Sequence, residues 1–153
     1  MNYWLFKTEP DAFSIDDLAN KKSKGELWDG VRNYQARNLL RDEVKKGDEV
    51  FIYHSSCKVP ALVGIASVIK DHQIDDTQFD PSAKYYDPKS TPENPRWYAV
   101  TIKHKKTFKE PLPLKDMKQN PELAGMKLLQ KGNRLSVMPV DKSHGDLLLK
   151  LLG

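Results

Sequence analysis

A chain of 153 residues, 39% apolar and 30% charged, with three tryptophans, six tyrosines and five phenylalanines, can bury one core without metal or disulfide support and is too aromatic for a disordered segment. Its net charge of +4 is uneven: residues 1–76 carry 11 basic and 13 acidic side chains and residues 77–153 carry 14 and 8, so a net −2 precedes a net +6. The single cysteine, Cys57, excludes an internal disulfide, and the longest apolar-looking run, residues 61–69, is too short to span a bilayer and contains Gly64 and Ser67.

This size predicts a single domain over residues 1–153. The opening M-N-Y-W-L-F-K-T-E-P has neither a basic leader nor a long apolar stretch, so a cytoplasmic protein with no membrane role is expected. The basic second half suits a polyanion, because lysines and arginines that neutralise phosphates release counterions. A lysine-rich solubilising surface has the same composition.

Residues 3–8 alternate aromatic and apolar side chains up to Pro10, which predicts a first strand with a polar rim at K-T-E-P. Ser14 with Asp17 three residues later predicts a capped short helix carrying Ile15 and Leu18. Asn33 is placed to cap a second helix whose apolar positions Ala36, Leu39, Leu40 and Val44 share one face, closing at K-K-G-D (45–48). Residues 49–54 and 62–69 read as strands, joined by the polar turn H-S-S-C (54–57). Residues 71–95 hold four prolines together with Phe79, Tyr85 and Tyr86, and read as a long loop of functional kind. Residues 97–102 alternate again and run into the basic K-H-K-K (103–106). A short helix near 114–118, a linker through Gly125, a strand at 134–138 and a leucine-rich helix capped by Asp141 complete the chain. Five or so strands with short helices, and no regular βαβ alternation, predict an α+β, barrel-like domain.

Chemistry concentrates in W-D-G-V-R-N-Y-Q-A-R-N (28–38), which packs two aromatics, two arginines, amides and a carboxylate around a glycine where a packing segment would show an apolar period. The helix start at Arg32 and Asn33 offers free N–H groups to a phosphate or to the acceptor edge of a base. His54 and Cys57 have an H-x-x-C spacing, but His72, His104 and His144 are isolated, so no metal is expected. Phosphate-loop patterns are absent, and no cofactor is expected. Glu9 and Asp29 are candidate acid and base, although pairing with Lys7 or Arg32 is the commoner fate of such groups. No catalytic motif is apparent, and a protein that is not an enzyme is expected. Aromatics set among basic and amide residues, Trp28, Tyr34, Tyr53, Tyr85, Tyr86 and Trp97, suit an exposed base, each stacking contact being worth ~1–3 kcal/mol. Trp4 reads as core, and Trp28 and Trp97 read equally as core or pocket.

Seven motifs stand in order: W-L-F-K-T-E-P (4–10), W-D-G-V-R-N-Y-Q-A-R-N (28–38), F-I-Y-H-S (51–55), D-x-T-Q-F (75–79), Y-Y-D-P (85–88), N-P-R-W (94–97) and R-L-S-V-x-P-V (134–140). Together they resemble the EVE domain family over residues 3–148. The resemblance implies a PUA-like fold, a small β-barrel of five to six strands flanked by short helices and related to YTH and ASCH domains. It also implies a non-enzymatic reader with an aromatic pocket for a modified base. In EVE domains that base is notably a modified cytosine in DNA, whereas YTH relatives hold N6-methyladenine in RNA, so DNA and RNA both stay open.

Position by position, Lys7 and Thr8 match the Lys-Ser pair that ends the first YTH strand, with Thr8 where many EVE members have Ser, and Glu9 follows them. Trp28 matches the cage tryptophan and Asp29 the edge-reading position, with Arg32, Asn33, Tyr34 and Gln35 as pocket wall and edge readers. Tyr53, His54 and Ser55 match the adjacent strand end, and Arg134 and Ser136 the late R-L-S element, whose arginine is placed for a phosphate. Trp97 or an aromatic of residues 79–86 supplies the opposite cage face. On this reading Trp28→Ala abolishes base preference and leaves the fold intact. Two alternatives are an enzyme acting on a modified nucleotide or RNA, as some ASCH relatives are, and a module binding a small ligand or a protein in the same cleft.

Overall fold

Strand β1 (Tyr3–Thr8) lies between two partners, pairing in parallel with β3 (Glu49–His54) and antiparallel with β6 (Val137–Val140). A computed structural model describes residues 1–153 and places these strands in one six-stranded sheet. Beyond β3 come β4 (Ala61–Ile74), β5 (Tyr98–Pro113) and the two-residue edge strand β2 (Glu26–Leu27), giving the order β2-β5-β4-β3-β1-β6. The expected barrel is therefore an open mixed sheet with β2 and β6 at its edges. A short strand followed by a turn at Gly30 carries the chain away from one edge before closure.

The sheet buries both faces, and the period of two along each strand decides which residue goes where. Trp4 and Phe6 of β1, with Val50 and Ile52 of β3, belong to one core, which also takes Trp28, Ala36 and Leu40. Tyr3 and Leu5, with Phe51 and Tyr53, belong to the other, which the C-terminal part of the chain covers through Met117, Leu123, Met138 and Leu148. Continuous apolar runs in β1, β3 and β4 follow from this two-sided burial.

Four helices flank the sheet: α1 (Ile15–Asn20), α2 (Tyr34–Asp42), α3 (Leu114–Gln119) and α4 (Lys142–Leu152). Both halves of the Ser14–Asp17 capping box are formed, and the Asn33 side chain accepts from the Ala36 N–H to cap α2. Asp141 stands at the start of α4 without a side-chain cap bond. The strands run longer than their alternation predicts, β4 to Ile74 and β5 through Pro111 to Pro113, because several bulges absorb the irregular residues as the pair bends. Gly64 is one such place: a Cβ there would meet the Lys106 carbonyl oxygen at 2.6 Å. The last strand begins at Val137 rather than 134, since a turn at 131–132 and irregular backbone lead up to it.

Candidate nucleic-acid interface

A cleft of about 600 Å³ opens where β1 ends, between the 28–32 segment, the turn after β3 and the loop that precedes β5. Its volume lies in the range of small-ligand sites. Lys7 and Thr8 of β1 and Glu9 just beyond it, Trp28, Asp29 and Arg32, together with Ser55 and Ser136, line it, so the sheet brings eight of the residues singled out in the sequence to one place. The chain is stitched together here by its backbone: the Lys7 N–H donates to the Ser136 carbonyl at 2.9 Å and the Ser55 N–H to the Thr8 carbonyl at 3.0 Å.

Trp28 belongs to both readings offered for it. It follows β2, its N–H donates to the Val100 carbonyl at 2.8 Å, and its ring is only 8% exposed, packed against Phe6 at 5.7 Å and edge-on to Phe13 at 5.8 Å. The indole nitrogens of Trp4 and Trp97 donate to Asp48 and Asp87 at 2.9 and 2.7 Å. The indole N–H of Trp28 meets no protein acceptor, and every buried side-chain nitrogen and oxygen has a partner, so this donor is accessible and faces the cleft that Trp28 lines.

Lys7 supplies a second free donor. It is half-buried, no carboxylate lies within ion-pair distance, and burial pushes its ammonium pKa down. Asp29 supplies an acceptor, whose carboxyl pKa is raised by lost hydration in the cleft and then by the charges of Asp75 and Glu26. Thr8 donates its hydroxyl to the Phe13 carbonyl at 2.7 Å, which leaves it only accepting capacity.

The cleft wall opposite β1 rests on a buried carboxylate. Asp75 accepts from the Gly30 N–H at 2.8 Å, from Arg32 at 2.9 Å and from the Thr77 N–H at 2.9 Å. Burial alone would raise its pKa, but the bonds from Thr77, Arg32 and Gly30 more than offset this and hold it below the ordinary carboxylate value. Arg32 thus pairs with Asp75, and its other N–H groups donate to the Tyr85 carbonyl at 2.7 and 3.1 Å, to the Val31 carbonyl at 3.0 Å and to the Thr77 hydroxyl at 3.1 Å. Tyr85 is thereby pinned at the cleft, and its ring passes so close to Gly30 (φ +82°) that a Cβ there would sit 2.5 Å from it.

The other candidates lie elsewhere. Asn33, Gln35 and Arg134 border a neighbouring polar groove of about 380 Å³ with Lys127 and Gln130. Tyr34 leaves the cleft and stacks on Trp97, which is 5% exposed and does not reach the cleft. Tyr53 points into the core on the far face, as the alternation from Phe51 requires. The His54 ring nitrogen accepts the Ile15 N–H at 3.1 Å, at the start of α1, and burial lowers its pKa. The Cys57 thiol contacts the His54 carbonyl. Phe13, Glu26 and Asp75 were missed; an aspartate two residues before a threonine in D-x-T-Q-F signals the side-chain turn that Asp75 makes. A hollow of about 140 Å³ by Leu5 and His144 and a groove of about 700 Å³ by Val59 and Leu114 gather no comparable free donors and acceptors around an aromatic floor.

Comparison with known proteins follows the same outline. Mouse thymocyte nuclear protein 1 is 39% identical over 167 aligned positions, which span 98% of this chain and 73% of the mouse protein. A crystal structure from Pseudomonas syringae superposes with a TM-score of 0.92 at 47% identity, over 97% of this chain and 98% of that one. Human THYN1 protein, crystallised in complex with 5-methylcytosine-containing DNA, superposes with a TM-score of 0.91 at 36% identity, over 99% and 97% of the two chains. An ASCH protein from Zymomonas mobilis, 11% identical with a TM-score of 0.61, shares the fold alone. The EVE domain profile matches residues 2–151, and the chain belongs to the EVE domain family.

Proposed function

We propose that this protein is a non-enzymatic reader that takes a modified base of DNA, a 5-methylcytosine in the first instance, into the cleft at Trp28. The observation that carries this is the accessible indole N–H of Trp28 beside the unpaired Lys7 ammonium and the Asp29 carboxylate, in a cleft also lined by Phe13 and Tyr85. It is supported by the human relative crystallised with 5-methylcytosine-containing DNA.

The chemistry is that of an extruded base. Cytosine presents an exocyclic amine that donates, and ring acceptors beside it. Asp29 suits the amine, Trp28 and Lys7 suit the acceptors, and Tyr85 and Phe13 offer rings to the base and apolar surface to its methyl group. Thymine or uracil would turn a carbonyl toward Asp29, and that mismatch supplies discrimination. Arg134 and the basic second half serve flanking phosphates.

Fluorescence anisotropy with short DNA and RNA oligonucleotides that differ in one modified cytosine tests the reading. Tighter binding to the modified DNA is expected, and Asp29→Asn should weaken the modified and unmodified cytosine probes alike and shrink their lead over a thymine probe. Equal affinity for all probes, or none for any, overturns it; preference for modified RNA keeps the cleft and changes the polymer. One observation favours an enzyme, the raised Asp29 carboxyl with Glu9 in the same cleft. Conversion of a modified nucleoside or oligonucleotide, lost in Asp29→Asn, would establish that instead.

A further inference from the structure

Tyr34, Arg37 and Arg96 take no part in the cleft, yet they are ordered around one another. Tyr34 is 50% exposed at the first turn of α2, and its ring stacks on Trp97 at 4.8 Å with 22° between the planes. Trp97 is itself fixed: its N–H and carbonyl bond the buried Gln78 side chain at 3.1 and 2.9 Å, and its indole donates to Asp87. The Arg37 guanidinium lies 5.0 Å from the Tyr34 ring centre and donates to the Arg96 carbonyl at 2.7 Å, while Arg96 reaches the Tyr34 hydroxyl at 3.4 Å.

Neither Arg37 nor Arg96 has a carboxylate within ion-pair distance; their side chains meet the Asn38 amide, a main-chain carbonyl and the Tyr34 hydroxyl. A single exposed aromatic is ordinary on any protein. An exposed ring laid on a rigid indole, with the Arg37 guanidinium over it and Arg96 at its hydroxyl, neither in an ion pair, has the composition by which proteins hold single-stranded nucleic acid.

We propose that Tyr34, backed by Trp97, with the Arg37 guanidinium over its ring and Arg96 at its hydroxyl, is a second DNA contact that takes a base close to the one in the cleft onto this stack and meets its phosphates. The proposal rests on the reader function above. Arg32 connects the two places, its guanidinium lying 5.1 Å from the Trp97 ring centre and 5.6 Å from that of Tyr85, which lines the cleft. One guanidinium thus lies between the Trp97 and Tyr85 rings and sets the two places on one surface. Asp75 is neutralised by Arg32, and neither Arg37 nor Arg96 forms an ion pair, so both guanidiniums can turn to phosphate.

The test uses the full chain and a fluorescein-labelled single-stranded DNA with one central 5-methylcytosine, beside its unmodified twin. Tyr34→Ala should weaken both on the order of tenfold and leave their ratio unchanged, with an unaltered melting temperature, and Tyr34→Phe should bind as the wild type does. Arg37→Ala with Arg96→Ala should flatten the dependence of log affinity on log salt by roughly 0.7 for each phosphate no longer neutralised. Wild-type affinity in Tyr34→Ala, or a changed ratio with unmodified binding intact, overturns the second contact and leaves the reader standing. Failure of the wild-type protein to bind either probe overturns both.

Discussion

Each of the three tryptophans buries its ring, but only Trp28 keeps its N–H free, and this difference defines what a substitution there measures. Trp28 packs on Phe6 and Phe13 within the core, so removing it leaves a cavity as well as an empty site. Trp28→Ala should therefore destabilise the protein by about 3–5 kcal/mol, a change that thermal melting will register, and the expectation of an intact fold is replaced by this one. Trp28→Phe keeps an apolar ring and removes only the donor and part of the area. It should melt closer to the wild type yet bind the modified probe more weakly in the anisotropy assay; undiminished affinity would move base recognition away from the indole N–H. The sign of the effect at Asp29 follows the same logic, since its carboxylate accepts where Trp28 and Lys7 donate.

Two elements are fixed by buried or half-buried polar side chains, and each gives a measurable handle. The loop from Asp75 to Ser90 owes its position to the buried Asp75 and to Arg32, which reaches the Tyr85 carbonyl. Replacing Asp75 by Ala strands the Gly30 N–H and the Arg32 guanidinium, a loss of about 3 kcal/mol or more for a buried pair broken on one side. Faster amide exchange in residues 76–90 and weaker binding of modified DNA are expected together; slow exchange in that loop would show that other contacts fix it. At the other end of the site, His54 joins β3 to α1 by accepting the Ile15 N–H, which only the neutral ring can do. Its folded pKa is lowered, first by burial, so below about 6.5 the unfolded chain takes a proton that the folded chain refuses. Stability should thus be complete above that pH and fall as pH drops from it toward the lower folded value. Urea midpoints from pH 7 to 5 will read this, and His54→Gln should flatten the slope.

Across the whole molecule, what could be read in advance was local or periodic. The boundaries of β1 and β3 follow from alternation, and the caps at Ser14 and Asn33 from side chains that bond their own backbone three residues on. The six-stranded open sheet was not legible: β2 has two residues, too few for any period, and the bulges of β4 and β5 interrupt the alternation that would have shown their true length. Within the site, residues 7–9, 28–32, 55 and 136 converge because each lies at a strand end or beside one, and strand ends collect at one edge of a sheet. Tyr53 was misplaced by a single step of alternation, while Tyr34 and Trp97 found each other rather than the cleft. Pairings such as Arg32 with Asp75, 43 positions apart, depend on chain routing that no local pattern carries.

The missing side chain at position 30 has a consequence for tolerance to change. Because the Tyr85 ring occupies the space a Cβ would need and the backbone there has φ +82°, position 30 is held to glycine while position 85 can change alone. The width of the cleft mouth is thus open to change from the Tyr85 side only. Widening it by Tyr85→Ala, with Gly30 retained, is the route to an engineered variant that admits bulkier substituents on the same base, without disturbing the floor at Trp28 or the donors beside it.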